Sequence, residues 1–284
     1  MRVMITGAAG MLGQDVQRAA AAAGHDFVAC GRRELDITDT EAVGVAVRAA
    51  TPQVIINCAA WTDVDGAEGD PDGAEAVNGH GPAVLAAAAV AAGAWLVHVS
   101  TDYVFDGSKR SGPYVESDPV APASVYGQTK LSGERAITRI ARDNSTIART
   151  AWLFGIGGPC FPATMLRLAA ERDQLTVVDD QRGCPTYTPH LAAALIELAE
   201  RQVAGIVHLA AEGECSWFEF AAATLAAAGL GTEVRPCTTA DFPRPAPRPA
   251  YSVLRSERGA EVPRLPDWHS GLEEYMRQRA EAGL

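Results

Sequence analysis

The 284-residue sequence has no C-x-x-C pair, although it contains six cysteines. Cys30, Cys58, Cys160, Cys184, Cys215 and Cys237 are spread over the whole chain. That spacing argues against a zinc site and against a compact disulfide scaffold. No two histidines have the H-x-x-x-H spacing of a metal site, and no metal is expected. Positive charge is short: Lys plus Arg is 24 against 35 for Asp plus Glu, a formal net charge of −11. Such a surface repels phosphate backbones and anionic headgroups, so nucleic acid and membrane surfaces are not expected partners. A local pocket can still hold a small anion. No stretch reaches the roughly 18 uninterrupted apolar residues of a membrane span. The N-terminus turns glycine-rich too early for a signal-peptide core, so the cytoplasm is the expected address. Hydrophobic residues make up 48% of the chain, enough for a sizeable core in one large domain or a domain with a smaller lobe.

Short β-branched runs alternate with Ala-rich stretches. Residues 3–6, 27–30, 54–58, 96–100 and 146–149 read as strands apolar on both faces. Residues 12–23, 41–50, 82–92 and 126–142 read as helices between them. Strands covered on both faces and joined by helices imply an α/β fold with a doubly wound parallel sheet of the Rossmann type. Thr38-Asp39-Thr40-Glu41 has the form of a capping box, and Gly24 and Gly93 stand where helices should stop. After residue 150 the rhythm loosens. Helices are expected at 161–172, 188–201, 216–228 and 270–282, with strands at 175–178 and 206–209. The proline-rich residues 242–249 can form only an extended segment. Residues 1–150 are therefore the expected nucleotide-binding domain, with a return strand near 205–210. Residues 151–284 are mainly a smaller lobe across the carboxyl edge of the sheet.

The first strand runs into Gly7-Ala8-Ala9-Gly10-Met11-Leu12-Gly13, followed by a helix. Glycines let backbone N–H groups approach a pyrophosphate, and a helix N-terminus adds partial positive charge. The spacing is G-x-x-G-x-x-G, so its position between first strand and first helix carries the inference. Dinucleotide binders often place a carboxylate at the tip of strand two; here Arg32 and Arg33 follow Cys30-Gly31. Guanidinium groups suit a 2′-phosphate, which favours NADPH, with NADH as the alternative if both are solvated loop residues. Asp36 and Ile37 follow, where they could flank the adenine.

Tyr126-Gly127-Gln128-Thr129-Lys130 is a Y-x-x-x-K motif opening a helix, which puts the phenol and the ammonium on one face. Reducing a ketone needs a proton donor at the oxygen, and a cation nearby would lower the phenol's pKa from its usual value near 10. Upstream, Ser100-Thr101-Asp102-Tyr103-Val104-Phe105-Asp106-Gly107 follows a buried strand. Its hydroxyls fall at a carboxyl strand edge, where doubly wound sheets hold ligands. Thr101 would donate to the substrate oxygen.

These motifs recur in order with Asn57-Cys-Ala-Ala-Trp-Thr-Asp-Val-Asp65, Arg149-Thr-Ala-Trp152, Asp180-Gln-Arg-Gly-Cys-Pro-Thr186 and Arg248-Pro-Ala-Tyr-Ser252. Together they resemble the dTDP-4-dehydrorhamnose reductases, extended short-chain dehydrogenases, over nearly the whole chain. The resemblance implies NADPH-dependent reduction of the 4-keto group of a dTDP-6-deoxy-L-sugar. It implies Tyr126 as proton donor with Lys130 as its partner, and Thr101 polarising the ketone. It places Gly7, Gly10, Met11, Leu12 and Gly13 at the pyrophosphate, Asp36 and Ile37 at the adenine, and Ala60, Trp61 and Thr62 along the cofactor. Asp102, Tyr103, Trp152 and Asp65 would face the sugar nucleotide; a homodimer is left open. Trp61 and the glycine-rich Asn78-Gly79-His80-Gly81 depart from the expected pattern.

The acidic run from Asp63 to Glu75 fails as a calcium loop because Ala67 stands at an oxygen-ligand position. Cys58 and Cys184 read as small buried thiols rather than nucleophiles. Two rival readings remain: a reductase of another dTDP-4-keto-6-deoxysugar, or a non-catalytic regulatory subunit like the β subunit of methionine adenosyltransferase.

Overall fold

The structure is a computed structural model that describes residues 1–284. The first half alternates strands and helices in chain order: β1 (Arg2–Thr6), α1 (Met11–Ala22), β2 (Asp26–Cys30), α2 (Thr40–Ala50) and β3 (Val54–Asn57). Then come two short helices, α3 (Val64–Gly69) and α4 (Pro71–Glu75), followed by α5 (Gly81–Ala92), β4 (Trp95–Thr101), α6 (Val125–Ala141) and β5 (Ser145–Thr150). The second half contains β6 (Leu153–Phe154), α7 (Phe161–Glu171), β7 (Gln174–Val178), β8 (Arg182–Gly183), β9 (Thr186–Tyr187) and α8 (Thr188–Arg201). It ends with β10 (Gly205–His208), β11 (Cys215–Ser216), α9 (Trp217–Ala227), β12 (Glu233–Cys237) and α10 (Trp268–Glu281).

Six strands form one parallel sheet in the order β10-β5-β4-β3-β1-β2. The order reverses between β1 and β3, so a ligand crevice is expected beyond their carboxyl ends. One face of the sheet packs Val16 of α1 and Leu195 of α8 against Val3, Ile5 and Val97. The other packs Val43, Leu85 and Ile137 against Met4, Ile55 and Leu96. Helix α8 and strand β10 thus join the sheet layers although they lie beyond residue 150. The lobe has its own aromatic core of Phe154, Tyr187, Phe220, Trp268 and Tyr275.

Two local expectations are corrected. Strand β2 is not covered on both faces: it is the sheet's edge, with Phe27 38% and Val28 40% exposed. Its apolar composition reflects β-propensity more than burial. The capping box at Thr38 and Glu41 does not form either. Asp39 is the N-cap, its carboxylate accepting from the Ala42 N–H at 2.9 Å, while Thr38 turns back to Asp36. A carboxylate one residue later outcompetes the hydroxyl as a cap. Gly93 ends α5 at φ 64°, as its position implies.

Strand β4 alternates its neighbours. Val97 and Val99 face α1 and α8, so His98 and Ser100 face α6 with Leu96. There they meet Lys130 and Glu134, one helical turn apart. Glu134 pairs with Arg149 of β5 through two hydrogen bonds of 2.9 and 2.6 Å, and Ser100 donates to the same carboxylate at 2.6 Å. This buried ion pair bolts α6 to β4 and β5.

Candidate active site

The glycine turn closes the crevice at the strand reversal. A Cβ at Gly7, whose φ is 67°, would lie 2.5 Å from the Ala59 backbone N, and one at Gly13 would lie 2.3 Å from the Gly7 oxygen. Helix α1 has no side-chain cap and no acidic residue in its first turn. Its first helical bond runs from the Gln14 N–H to the Gly10 oxygen, leaving the N–H groups of Met11, Leu12 and Gly13 before it. Met11 and Leu12 pack their side chains inward, so backbone is what they offer a ligand.

At the tip of β2, Arg32 and Arg33 are exposed and form no ion pair. The strand tip is not free of carboxylates, however. Glu34 folds back so that its Oε2 lies 2.6 Å from where a Gly31 Cβ would be. Sequence spacing missed it because the turn after β2 reverses the chain. Asp36 is exposed, and hydrogen bonds from Thr38 hold its pKa below the usual carboxylate range. Ile37 is 4% exposed and points into the core beneath Gly81, so its side chain packs there rather than against an adenine.

After β3 the chain passes Ala60, Trp61 and Thr62, all at least partly exposed. Asn78 pins this segment: it accepts from the Trp61 N–H at 2.8 Å and donates to the Trp61 oxygen at 3.1 Å and to Thr129 at 3.2 Å. The glycines around Asn78 answer to packing. Gly81 leaves room for Ile37, and a Cβ at Gly133 would strike the Asn78 oxygen at 2.2 Å.

Tyr126 and Lys130 sit at the start of α6, capped by Ser124. Burial pushes the Tyr126 phenol up to about 12, opposed by a hydrogen bond with Thr101. Lys130 is 2% exposed, and burial pushes it down to about 8. Its Nζ donates to the Val99 oxygen at 2.7 Å. The expectation that Lys130 lowers the phenol's pKa is not met here: its head is turned to the β4 backbone, and burial dominates the phenol.

Thr101 donates to Asp102 Oδ1 at 3.0 Å and accepts from the Tyr103 N–H at 3.2 Å. Asp102 is 2% exposed, and burial pushes it up to about 6. It lies under Thr101 instead of facing a sugar. A hydroxyl has one hydrogen, so Thr101 must turn from Asp102 to donate to a ketone. Tyr103 packs edge-on against Tyr126 with ring centroids 5.4 Å apart.

Trp152 adopts φ 48° and stacks on Trp217 with centroids 3.5 Å apart and planes within 5°. It also lies against Gly183, where a Cβ would come within 2.4 Å of the indole. The face toward Trp217 is therefore already taken, which narrows what it can offer a sugar. Sequence reading did not single out Trp217.

Asp65, expected at the sugar, is bonded to the chain's own residues instead. Its carboxylate accepts from Arg244 Nε at 2.8 Å, from the Ala246 N–H at 3.1 Å and from Arg248. The Arg248 contact above all holds its pKa far below the carboxylate range. Asp65 ties the proline-rich residues 242–249 across to α3 and has no acceptor capacity left over for a substrate hydroxyl. Asp65→Ala is expected to speed exchange of the Ala246 amide at least about tenfold, as measured by hydrogen–deuterium exchange; an unchanged rate would show that the strap holds itself. Beside this strap opens a polar groove of about 800 Å³, lined by Lys109, Arg110, Glu214, Arg248 and Tyr251 among others. A slightly larger depression of about 840 Å³ lies by Arg139 and Arg142 at the far end of α6, away from Tyr126. Neither hollow is lined by Thr101, Tyr126 or Lys130.

A doubly wound parallel sheet, a glycine turn at its strand reversal and a Y-x-x-x-K helix start beside the β4 tip define a Rossmann-type reductase. The family model described as "RmlD substrate binding domain" matches residues 1–281, and the chain belongs to that family. Among its relatives is a dTDP-4-dehydrorhamnose reductase of Mycolicibacterium smegmatis, 46% identical over 280 residues, covering 97% of this chain and 85% of the relative. Another, from Streptomyces antibioticus, is a probable dTDP-4,6-dihydroxy-2-methyloxan-3-one 4-ketoreductase, 44% identical over 280 residues, covering 96% of this chain and 94% of the relative. The crystal structure of a dTDP-4-dehydrorhamnose reductase from Bacillus anthracis in complex with NADP superposes with a TM-score of 0.94 at 38% identity, covering 98% of this chain and 99% of that one. No helix is long and apolar enough to cross a membrane.

Proposed function

We propose that the protein uses NADPH to reduce the C4 ketone of dTDP-4-dehydro-L-rhamnose to dTDP-L-rhamnose. The observation that carries this reading is that Tyr126 is brought up to Thr101 at the carboxyl end of β4, two strands along the sheet from the glycine turn, in a chain of this family. The dinucleotide fits the residues present, because the uncapped start of α1 leaves three N–H donors for a pyrophosphate and the turn has no room for a Cβ. Gly7, Gly10 and Gly13 would bring the backbone to it, with Asp36, Ala60, Trp61 and Thr62 along its length. When bound, NADPH supplies the hydride.

The chain's own residues do the rest. Tyr126 holds a proton at its hydroxyl: with the pKa raised to about 12, the phenol stays loaded throughout the neutral range. Thr101 orients the ketone oxygen once its hydroxyl turns from Asp102. Lys130 reaches toward the cofactor ribose from its seat on Val99. Tyr103 and Trp152 wall the sugar, and Arg110, which has no carboxylate partner, brings positive charge to a diphosphate, while Lys109 and Arg248 are held by Asp118 and Asp65. Binding energy from the nucleotide holds the ketone in a reactive pose.

The test is loss of NADPH absorbance with dTDP-4-dehydro-L-rhamnose, run beside other dTDP-4-keto-6-deoxysugars. Turnover preferring the L-rhamnose precursor supports the reading. Preference for another sugar would move the protein to the specificity of its Streptomyces antibioticus-type relatives. Binding of NADPH with no turnover of any sugar would favour a regulatory subunit. For the cofactor, Arg32→Ala with Arg33→Ala is expected to lower the NADPH-to-NADH ratio of kcat/KM by about 10-fold or more, since each charge-assisted bond to a phosphate contributes on the order of 1.5–3 kcal/mol. An unchanged ratio would remove both arginines from cofactor choice.

A further inference from the structure

A buried polar chain runs under the site from β1 to α6. Thr6 donates to Asn57 Oδ1 at 2.7 Å, and the Ala59 N–H donates to the same oxygen at 3.0 Å. A backbone N–H can only donate, so the atom it meets is the amide oxygen, and the orientation of Asn57 is fixed. The Asn57 Nδ2 donor therefore faces His98 Nδ1, 2.9 Å away. Nδ1 must carry a lone pair, which leaves the hydrogen of the neutral ring on Nε2. Nε2 lies 3.4 Å from Lys130 Nζ. His98 is fully buried, and burial with the neighbouring Lys130 holds its pKa well below 6.5, so the ring stays neutral.

We propose that His98 is a positioning residue for Lys130: its locked Nε2–H points a donor at Nζ, disfavours the ammonium, and sets the pH at which Lys130 changes charge. An ammonium has only donors, so two N–H groups would confront each other across this contact. A neutral amine has a lone pair that accepts the Nε2–H while still donating to the Val99 oxygen. The other groups facing Lys130 do not reverse this. Glu134, on its own helix, favours the ammonium but is paired with Arg149. Cys58, beyond β3, is pushed up by burial to about 12 and stays a neutral thiol. Tyr126 stays protonated in the same range.

The proposal rests on Lys130 being the working partner of Tyr126, and the experiment reads Lys130 without turnover. The chain has only two lysines, Lys109 and Lys130, so ¹³C-lysine labelling gives two side-chain signals, assigned with Lys109→Arg. In the full-length native protein the Lys130 signal should titrate near 8. His98→Asn keeps an acceptor for Asn57 but withdraws the donor from Nζ. It should raise that midpoint by about one unit or more, a tenfold change in the proton equilibrium, and move the alkaline limb of the pH–kcat/KM profile the same way. A midpoint unchanged within about 0.3 unit in folded His98→Asn would overturn the proposal. Should that variant not fold, ¹⁵N-histidine spectra of the native protein decide. Nδ1 of His98 unprotonated and Nε2 protonated across the neutral range supports it; a proton on Nδ1 overturns it. If these signals behave as described while no sugar is reduced, the fault lies with the proposed function and not with the His98 contact.

Discussion

Tyr126→Phe should lower kcat about 10²–10⁴-fold, the usual contribution of a positioned proton donor, while NADPH still binds. The phenol beside Thr101 is protonated throughout the neutral range, because burial pushes it up to about 12. A phenol this weakly acidic stays loaded at a cost in driving force, so its own titration should leave no limb in the pH–rate profile below about pH 11. Asp102 cannot replace it. That carboxyl is buried beneath Thr101, and its pKa near 6 leaves it mostly ionised at pH 7. Single-turnover assays should show the loss in the chemical step, with the ring's contact to Tyr103 and the fold intact. A Phe variant within about threefold of the native rate would remove Tyr126 from proton delivery.

The largest effect on stability is expected at Glu134. Its carboxylate and the Arg149 guanidinium are 3% and 2% exposed, and one guanidinium nitrogen, Nη1, already lacks a partner. Glu134→Ala strands that guanidinium among Phe105 and the β5 backbone and also strips Ser100 of its acceptor. Breaking a buried pair from one side costs about 3–5 kcal/mol. Urea denaturation followed by circular dichroism should register this as a lower midpoint with little change in slope. The double variant Glu134→Leu/Arg149→Leu should recover much of the loss, because no charge is then left unpaired. A single variant within about 1 kcal/mol of the native protein would show that water reaches the pair.

Much of the fold was legible because its signals are local and repeated. β-branched runs, Ala-rich helices and glycine stops place the elements to within a few residues, and the parallel order follows from burial on both faces. Where local signals failed, a longer-range contact decided. Phe27 and Val28 read as interior, yet β2 is an edge, and no pattern within the strand says how many neighbours it has. Glu34 reaches the β2 tip only through a chain reversal. Asp65 was legible as part of the site, but its partners lie about 180 residues away, and two arginines turn it from a sugar ligand into an anchor. Tyr126, Lys130 and Thr101 were legible through spacing and position. His98 left one unread signal: alternate polar residues, His98 and Ser100, on a strand otherwise apolar, opposite Lys130 and Glu134 on the covering helix.

Proton delivery depends on where the reacting oxygen sits. Its most direct test is a crystal structure with NADP and the dTDP-sugar bound, from which the distances between the sugar's C4 oxygen and both Tyr126 Oη and Thr101 Oγ1 are read. Both should fall within about 3.2 Å, with Thr101 turned away from Asp102. A C4 oxygen bonded by other groups, with the Tyr126 hydroxyl beyond about 5 Å, would contradict it.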